Sequence, residues 1–214
     1  MTNQKQTVFV VDDEVSVRSS LKWLLESVQI PVQTFESGHD FLAAHTDDRH
    51  GCIVLDVRMP GMSGLELMKR LHNMGLRAPI IFLSAHGDVP MAVQALKDGA
   101  FDFLEKPYNN QRFLDCVQSA LERDALNRLN RNADEELLDR LKNLTAREHE
   151  IINLVVAGKS NKEIGKLLNI SHKTVEAHRG RLMAKMGVNN LVDLVRVMTT
   201  HYAANGHILS LTDQ

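Results

Sequence analysis

The chain has 214 residues, 43% of them hydrophobic and 24% charged, a composition typical of a globular protein rather than a disordered or fibrous one. Since domains cluster near about 100 to 150 residues, we expect one domain of ordinary size and a second, smaller one. No apolar run approaches the roughly 18 residues of a membrane span, and the chain starts without a signal-peptide stretch, so we expect a cytoplasmic protein with no membrane contact. Cys52 and Cys116 lie far apart without metal-ligand spacing, which predicts reduced packing residues rather than a disulfide or a zinc site.

The net charge of −2 conceals an uneven distribution of charge along the chain. Residues 1–124 carry 12 Lys and Arg against 17 Asp and Glu, whereas residues 145–201 carry 9 against 5. A modestly basic C-terminal part suits contact with a phosphate backbone. The surplus of positive charge is, by itself, only weak evidence for DNA binding.

The first half of the chain alternates short, β-rich apolar runs with helical patterns. Five strands are predicted, at residues 8–11, 32–35, 52–55, 80–84 and 101–104. The intervening segments have apolar positions at helical spacing, which predicts helices at residues 15–28, 38–45, 63–74, 89–98 and 111–123. This repeated βα pattern predicts an α/β fold with a doubly wound, five-stranded parallel sheet.

Five chemically informative residues fall at the carboxyl ends of the predicted strands, where parallel sheets collect their ligands. They are Asp12 and Asp13 after the first strand, Asp56 after the third, Ser84 at the end of the fourth and Lys106 after the fifth. Converging carboxylates would repel one another unless a cation neutralised them, and an all-oxygen set favours Mg²⁺. Any single acid there could simply cap a helix or face water, but five matching positions are hard to assign to chance.

Three segments carry a specific resemblance: residues 11–14 (VDDE), 56–64 (DVRMPGMSG) and 101–107 (FDFLEKP). They resemble the defining motifs of response-regulator receiver domains, over about residues 5–125. The resemblance implies a flavodoxin-like fold of the CheY type, with Mg²⁺ as cofactor and a phosphorylated aspartate.

The resemblance also implies a role for each matching residue. Asp56 would be the phosphoacceptor, Lys106 would pair with the acyl phosphate, and Ser84 would receive a phosphoryl oxygen. The metal would be held by Asp12, Asp13, Asp56 and the backbone carbonyl of Arg58. Phe103 matches the aromatic residue that rotates inward on activation, although an aromatic on a strand is equally well explained as core.

Between residues 107 and 144 the sequence shows no strand signal, and apolar residues recur at helical spacing. The step from Leu121 to Leu126 breaks that rhythm, and three asparagines nearby weaken helix propensity. The segment could be one long helix, or a helix could bend or end there. We assign residues 126–143 to a helical linker, and a solvated linker and a dimer-forming coiled coil both stay open.

The last third of the chain is predicted to be helical, with clear start and stop signals. Residues 145–148 and 160–163 match the capping-box pattern, and Ser171 is a plausible N-cap. Gly158 and Gly187 fall where helix C-termini favour a left-handed residue. These signals predict a small all-α domain of four helices, at about residues 146–157, 161–168, 172–186 and 190–200. Residues 205–214 are expected to form a poorly ordered tail.

The second and third of these helices have the layout of a helix-turn-helix, although two amphipathic helices joined by a turn are more often just a small bundle. Residues 144–148, 158–164, 171–179 and 185–188 resemble the LuxR-type helix-turn-helix, over about residues 140–203. We expect the helix at 172–186 to enter the major groove. The candidates for reading bases are Lys173, Glu176 and Ala177, and those for backbone contact are Thr174, His178, Arg179, Arg181 and Lys185.

Together the two halves, especially residues 86–93 and 174–179, resemble the FixJ-like branch of response regulators. The resemblance implies a transcription activator that receives phosphate from a sensor histidine kinase. It further implies a phosphorylation-dependent homodimer that uses the face made by the fourth helix, fifth strand and fifth helix. Double-stranded promoter DNA and RNA polymerase would be its other partners. We therefore assign 1–125 to a receiver domain and 144–204 to a DNA-binding domain.

Two other classes of protein share some of these features. An aspartate-nucleophile phosphohydrolase also uses paired aspartates, a lysine and Mg²⁺, but it needs a substrate cap or pocket, and the loops predicted here are short. We therefore expect no metabolic enzyme, only slow self-dephosphorylation. A phosphate-relay protein without DNA binding is disfavoured by the C-terminal motifs. No glycine-rich phosphate-binding loop of the full GxxxxGK[ST] pattern occurs, which disfavours an associated ATPase.

Overall fold

The structure is a computed structural model that describes residues 6–44, 50–85 and 89–204. It divides into two compact units, Met1–Leu129 and Asn130–Gln214. The domain limits predicted at residues 125, 143 and 204 remain predictions, and the predicted tail, residues 205–214, lies outside the described residues.

The first unit is built on a five-stranded parallel sheet with strand order β2-β1-β3-β4-β5. Its central strands, β1, β3 and β4, are almost wholly buried, which explains why they read as continuous apolar runs. The predicted sheet is confirmed, with ends shifted by at most one residue. The strands are β1 (Thr7–Val11), β2 (Val32–Phe35), β3 (Gly51–Asp56), β4 (Ile80–Ser84) and β5 (Asp102–Glu105).

Helices cover both faces of this sheet, each face with its own apolar core. On one face Leu21 and Phe113, from α1 and α5, pack against the buried side chains of the strands. On the other face, Phe41 of α2, Leu67 of α3 and Ala95 of α4 pack in a second apolar core. The helices of this unit are α1 (Val15–Ser27), α2 (Gly38–Ala43), α3 (Gly64–Asn73), α4 (Val89–Lys97) and the first part of α5 (Asn110–Lys142).

Helix α5 extends well beyond the predicted end at residue 123, and a buried carboxylate accounts for part of the difference. Asp124 is 1% exposed and accepts a hydrogen bond from the amide of Gly51, at 2.9 Å. Arg128, one turn later, places its Nε 3.1 Å from the same carboxylate. This pair stabilises the helix at the point where the apolar rhythm breaks.

The second unit is all-helical and has a separate core formed by Ile151, Ile164, Val175, Leu182 and other apolar side chains. The two predicted capping boxes and the Ser171 cap are present, and Gly187 is left-handed at a helix end. The predicted four-helix domain is confirmed. The last part of α5 also belongs to this unit and packs in its core. Its helices are α6 (Ala146–Val156), α7 (Asn161–Leu168), α8 (His172–Met186) and α9 (Leu191–Ala204).

Both cysteines are free thiols in the core that α1 and α5 share with the sheet. Burial raises the pKa of Cys116 to about 12, which keeps this thiol protonated and unreactive at neutral pH. The packing role predicted for Cys52 and Cys116 is therefore confirmed. In the described ranges, no helix has both the length and the apolar character needed to cross a bilayer.

We expect Asp124→Ala to destabilise the first unit by about 2 to 4 kcal/mol, because the buried amide of Gly51 loses its acceptor and the guanidinium of Arg128 loses its ion-pair partner. Urea unfolding followed by circular dichroism measures this loss. Asp115→Ala, an exposed carboxylate on the same helix, should stay within about 0.5 kcal/mol of wild type. Equal stability of the two variants would contradict the anchoring role of Asp124.

Candidate functional site

Three of the predicted site residues meet at the carboxyl edge of the sheet. The Nζ of Lys106 lies 2.9 Å from a carboxylate oxygen of Asp12 and 2.9 Å from one of Asp56. Asp12 is 1% and Asp56 8% exposed, so both carboxylates are largely removed from water. The two buried negative charges are thus held together by one ammonium group that each of them contacts directly.

Backbone geometry positions Asp56. Its second carboxylate oxygen accepts a hydrogen bond from the amide of Arg58, at 2.7 Å. Helix α3 starts so close to this strand end that a Cβ on Gly64 would lie 2.2 Å from the Asp56 carbonyl oxygen. Only glycine fits there, which explains why the motif at residues 56–64 ends on this residue. One carboxylate oxygen of Asp56 therefore contacts Lys106, and the other accepts the hydrogen bond from the Arg58 amide in the loop after β3.

The loop after β1 fixes Asp12 and exposes Asp13. The carboxylate of Asp12 accepts a hydrogen bond from the Glu14 amide at 2.9 Å. Arg18 donates to the backbone carbonyls of Asp12 and Asp13, at 2.7 and 2.9 Å. The side chain of Asp13 faces solvent at the same edge. Two of the three predicted carboxylates are therefore brought to the lysine, and the third stands beside them.

Ser84 and Phe103 lie on the strands next to Asp56. Ser84 is 2% exposed, and its carbonyl accepts a hydrogen bond from the Lys106 amide at 2.7 Å. Phe103 is half-buried and packs beside Phe82, with ring centroids 6.4 Å apart. Ser84 therefore lies at the site, next to Lys106. Phe103 packs partly against the core.

The charges of the site depend on a balance between burial and direct contacts. Burial raises the pKa of Asp56, against the opposing effects of Lys106 and the Arg58 amide. Burial also acts to lower the pKa of Lys106, but its hydrogen bonds to Asp12 and Asp56 outweigh that effect and raise the pKa overall. The lysine therefore stays protonated at neutral pH, and it keeps a positive charge next to the Asp56 oxygens.

Among the described residues, no group of three or more His, Cys, Asp or Glu side chains is arranged to hold a metal ion. Mg²⁺ commonly uses only one or two protein carboxylates and keeps several waters. Asp12 and Asp56 supply such a pair, each oxygen of which has capacity for a further contact. The donor set at this edge is therefore compatible with Mg²⁺, the predicted cofactor.

In the second unit, α7 and α8 are joined by the tight turn expected of a helix-turn-helix. Asn169 ends α7 in a left-handed conformation, with φ of 52°. A Cβ on Gly165 would lie 2.8 Å from the Ile170 carbonyl oxygen, so this glycine lets the turn close on the helix. The hydroxyl of Ser171 then caps α8 by accepting a hydrogen bond from the Thr174 amide at 3.0 Å.

The predicted DNA-contacting residues of α8 divide into two groups. One group faces solvent, and its members are Lys173, Thr174, Glu176, Ala177 and Arg181.

The other predicted contacts of α8 already have roles inside the protein. Arg179 is half-buried and donates a hydrogen bond to the side-chain carbonyl of Asn161, at the start of α7. The Nδ1 of His178 is buried and has no hydrogen-bond partner within the described ranges. Lys185 contacts a carboxylate of α6. Arg179 and Lys185 thus make contacts within the second unit, and Arg179 and His178 are less exposed than the first group.

Lys185 forms an ion pair that joins α8 to α6, in which the carboxylate is buried and the lysine side chain is 36% exposed. Its Nζ lies 2.7 Å from the carboxylate of Glu148, which is 2% exposed. The same carboxylate accepts a hydrogen bond from the Thr145 amide at 2.8 Å, completing the capping box. Lys185 and the Thr145 amide lower the pKa of Glu148 to about 2. The helix cap and the ion pair thus depend on one buried anion.

Comparisons with known proteins decide the family. The model for the response regulator receiver domain matches residues 8–118, and the model for bacterial regulatory proteins of the luxR family matches residues 142–198. The transcriptional regulatory protein TdiR of Thauera aromatica is 56% identical over 197 residues, covering 91% of this chain and 86% of the relative. The chain belongs to the two-component response regulators.

Other relatives support the same placement of this response regulator. The transcriptional regulatory protein FixJ of Rhizobium meliloti (strain 1021) is 41% identical over 191 residues, covering 89% of this chain and 94% of the relative. A solved structure of the response regulator StyR is 42% identical, with a TM-score of 0.83, over 92% of this chain and 99% of that one. The predicted FixJ-like branch, fold and regulator class are confirmed.

Sequence reasoning gave no role to several residues that build the two sites of this regulator. Arg18 and Asn161 have ordinary sequence contexts, and only the fold shows their contacts. Glu148 was noted as part of a capping box, but the sequence gives no sign of its ion pair with Lys185. Gly64 carried a detectable signal, because a glycine in the first turn of the predicted helix at residues 63–74 is unfavourable for a helix and is compatible with a close backbone approach.

The low pKa of Glu148 makes the second unit of this regulator sensitive to acid. The folded-state pKa lies below the ordinary value of about 4.5, so its stabilisation is complete above that pH and is lost as the pH falls toward about 2. We expect Glu148→Gln to destabilise the unit by about 2 kcal/mol at pH 7 and to flatten the decline between pH 5 and pH 2.5.

Urea unfolding at several pH values, followed by circular dichroism, measures both effects. Glu150→Gln is the matched control, since Glu150 lies on the same helix with its side chain 52% exposed and pairs with Arg147. That variant should keep the slope of wild type. An unchanged slope for Glu148→Gln would contradict the assignment.

Proposed function

We propose that Asp56 accepts a phosphoryl group from a sensor histidine kinase, and that this modification controls DNA binding by α8. The observation that carries the proposal is Lys106 Nζ at 2.9 Å from both Asp12 and Asp56, at the edge where a phosphoryl group would bind. A regulator of this kind acts on DNA within the bacterial cytoplasm. Beyond accepting the phosphoryl group and slowly releasing it to water, we expect no enzymatic activity.

The chemistry follows from the position of the charges. A carboxylate oxygen of Asp56 attacks phosphorus in line, the oxygen–phosphorus bond forms, and the phosphorus–nitrogen bond to the donor imidazole breaks. The imidazole then takes up a proton. Lys106 stabilises the charge on the equatorial oxygens, and the Arg58 amide keeps the other Asp56 oxygen oriented. The protein contributes positioning and positive charge, and the phosphorylated donor contributes the reactivity.

Mg²⁺ would be held by Asp12, Asp13, Asp56 and the backbone carbonyl of Arg58. When bound, it would neutralise charge on the phosphoryl oxygens. The protein's part is to keep the Asp12 carboxylate oriented, which its hydrogen bonds from the Glu14 amide and the Lys106 ammonium do. Solvent-exposed Asp13 can join without displacing these contacts.

Phosphorylation adds about 1.5 to 2 negative charges next to Ser84 and Lys106. We propose that Ser84 then moves toward the phosphoryl group and Phe103 turns inward, which changes the face formed by α4, β5 and α5. That face presents exposed apolar side chains in α4, among them Val89 at 76% and Leu96 at 45%. Such side chains favour burial against a second copy of the chain.

The DNA contacts follow from the exposed residues at the start of α8. Lys173, Glu176 and Ala177 are placed to reach base edges, with Glu176 able to accept from a cytosine amino group. Thr174 and Arg181 are placed to contact the phosphate backbone. A dimer would present two such helices to successive major grooves of an operator with approximate two-fold symmetry, and it would contact RNA polymerase there as an activator.

Beryllofluoride, which mimics the phosphoryl group, should convert the monomer into a dimer in the presence of Mg²⁺. Molar mass from light scattering measures this change. Asp56→Asn is the matched control, because it keeps the size of the side chain and removes the attacking oxygen. Conversion of wild type alone supports the proposal. No change in wild type would overturn dimerisation as the output and favour released contacts between the units.

Arg181→Ala should weaken DNA binding about tenfold and reduce the slope of log K against log salt by about 1, because one phosphate contact is lost. Lys173→Ala should weaken binding mainly to the preferred sequence. Fluorescence anisotropy with a duplex selected by the wild-type chain from random sequences measures both effects. Lys22→Ala removes the same charge from exposed α1 and should leave affinity unchanged. Unaltered affinity in both Arg181→Ala and Lys173→Ala would contradict DNA binding through α8, and failure of the wild-type chain to select any duplex would favour a phosphate relay without DNA binding.

A further inference from the structure

The last three turns of α5 belong to the DNA-binding unit rather than to a free linker. Residues 130–142 fall within the second unit. Leu137 is 8% exposed in its core, and Leu141 packs against the same cluster. The family match begins only at residue 142, so this segment lies almost entirely outside the part of the chain that the luxR-type model describes.

Arg140, on this segment, contacts the end of α8. Its Nη1 donates a hydrogen bond to the carbonyl oxygen of Met186, the last residue of α8, at 3.0 Å. The last carbonyls of a helix have no partner within the helix, and they carry the negative end of the helix dipole. A guanidinium at this position therefore supplies both a hydrogen bond and a favourable charge.

The backbone after Met186 is shaped to accept Arg140. Gly187 is left-handed, with φ of 65°, and a Cβ at that position would lie 3.1 Å from Nη1 of Arg140. The small residue thus serves two purposes, since it ends the helix and leaves room for the guanidinium. A side chain there would crowd the contact.

A second cation strengthens the same end of α8. Lys185 donates to the carbonyl of Asn143 at 3.1 Å and pairs with Glu148. The end of α8 is therefore held by residues on both sides of the short connection between α5 and α6. The other half of the helix carries the exposed side chains proposed to contact DNA.

We propose that Arg140 is a positioning residue for DNA binding, which acts by fixing the C-terminal end of α8 against the last turn of α5. The proposal rests on the proposed function, in which α8 is the helix that contacts DNA. Arg140 contributes through the helix and not by touching the DNA. Its Nη1 is occupied by Met186, and its Nη2 lies 3.4 Å from Glu136.

Two measurements on the full-length chain test this proposal. Hydrogen exchange of the amides at residues 183–188 reports on the end of α8 without DNA, and we expect Arg140→Ala to exchange roughly three to ten times faster there. Anisotropy with a duplex selected by the wild-type chain should show roughly three- to tenfold weaker binding, with an unchanged salt slope.

Three further variants make the result specific. Arg140→Lys keeps a cation that can reach the Met186 carbonyl, so this variant should keep most of the wild-type affinity. It also keeps the proposal testable if Arg140→Ala fails to fold. Glu136→Gln removes only the exposed ion pair, and Arg131→Ala removes a charge from an exposed position on the same helix. Both should behave as wild type.

The outcomes separate this proposal from the proposed function. Faster exchange at residues 183–188 with weaker binding and an unchanged salt slope supports positioning. A salt slope reduced by about 1 with normal exchange would overturn it and assign Arg140 to a phosphate contact. Normal exchange and normal affinity would overturn it as well. Failure of the wild-type chain to select any duplex would refute DNA binding by α8, and the exchange measurement, which uses no DNA, would still show whether Arg140 fixes the end of that helix.

Discussion

The ammonium group of Lys106 is the interaction on which the phosphoacceptor site depends. Two carboxylates that are 1% and 8% exposed lie at this edge, and burying negative charge is costly without a compensating positive charge. Lys106 provides that charge at 2.9 Å from each, and the backbone at the strand ends holds all three residues in register. Under the proposed function, an incoming phosphoryl group would meet positive charge and oriented carboxylates that are already in place, so little reorganisation of the protein would be required.

A buried anion also contributes to the second unit, where it contacts α8, the helix proposed to bind DNA. Glu148 caps α6 through Thr145 and holds Lys185 of α8. Arg140 adds a second cation at the end of that helix. Of the basic residues proposed to contact DNA, Lys173 and Arg181 are exposed, whereas Lys185 is paired with Glu148. Counting the charges of this helix from sequence therefore overestimates its free positive charge.

Most of the fold was predictable because its strands and helices have recognisable local sequence patterns. Buried strands read as apolar runs, and capping boxes mark the starts of α6 and α7. The residues at the strand ends were also predictable, because a parallel sheet brings its carboxyl ends to one edge. Contacts between distant residues, such as Arg18 with the Asp12 carbonyl or Arg179 with Asn161, leave no sequence period and could not be inferred.

Helix α5 shows why a broken apolar rhythm is an ambiguous signal. Up to Leu121 its buried face packs on the sheet, and from Leu137 it packs in the helical core of the second unit. Leu126 and Leu129, between these stretches, are 57% and 65% exposed. The helix is continuous, but its first part packs in one core and its last part in another. The ion pair between Asp124 and Arg128 stabilises the stretch between the two parts. A helix that packs in two different cores needs an apolar face for each of them. The spacing of its apolar residues must therefore be analysed separately for the part in each core.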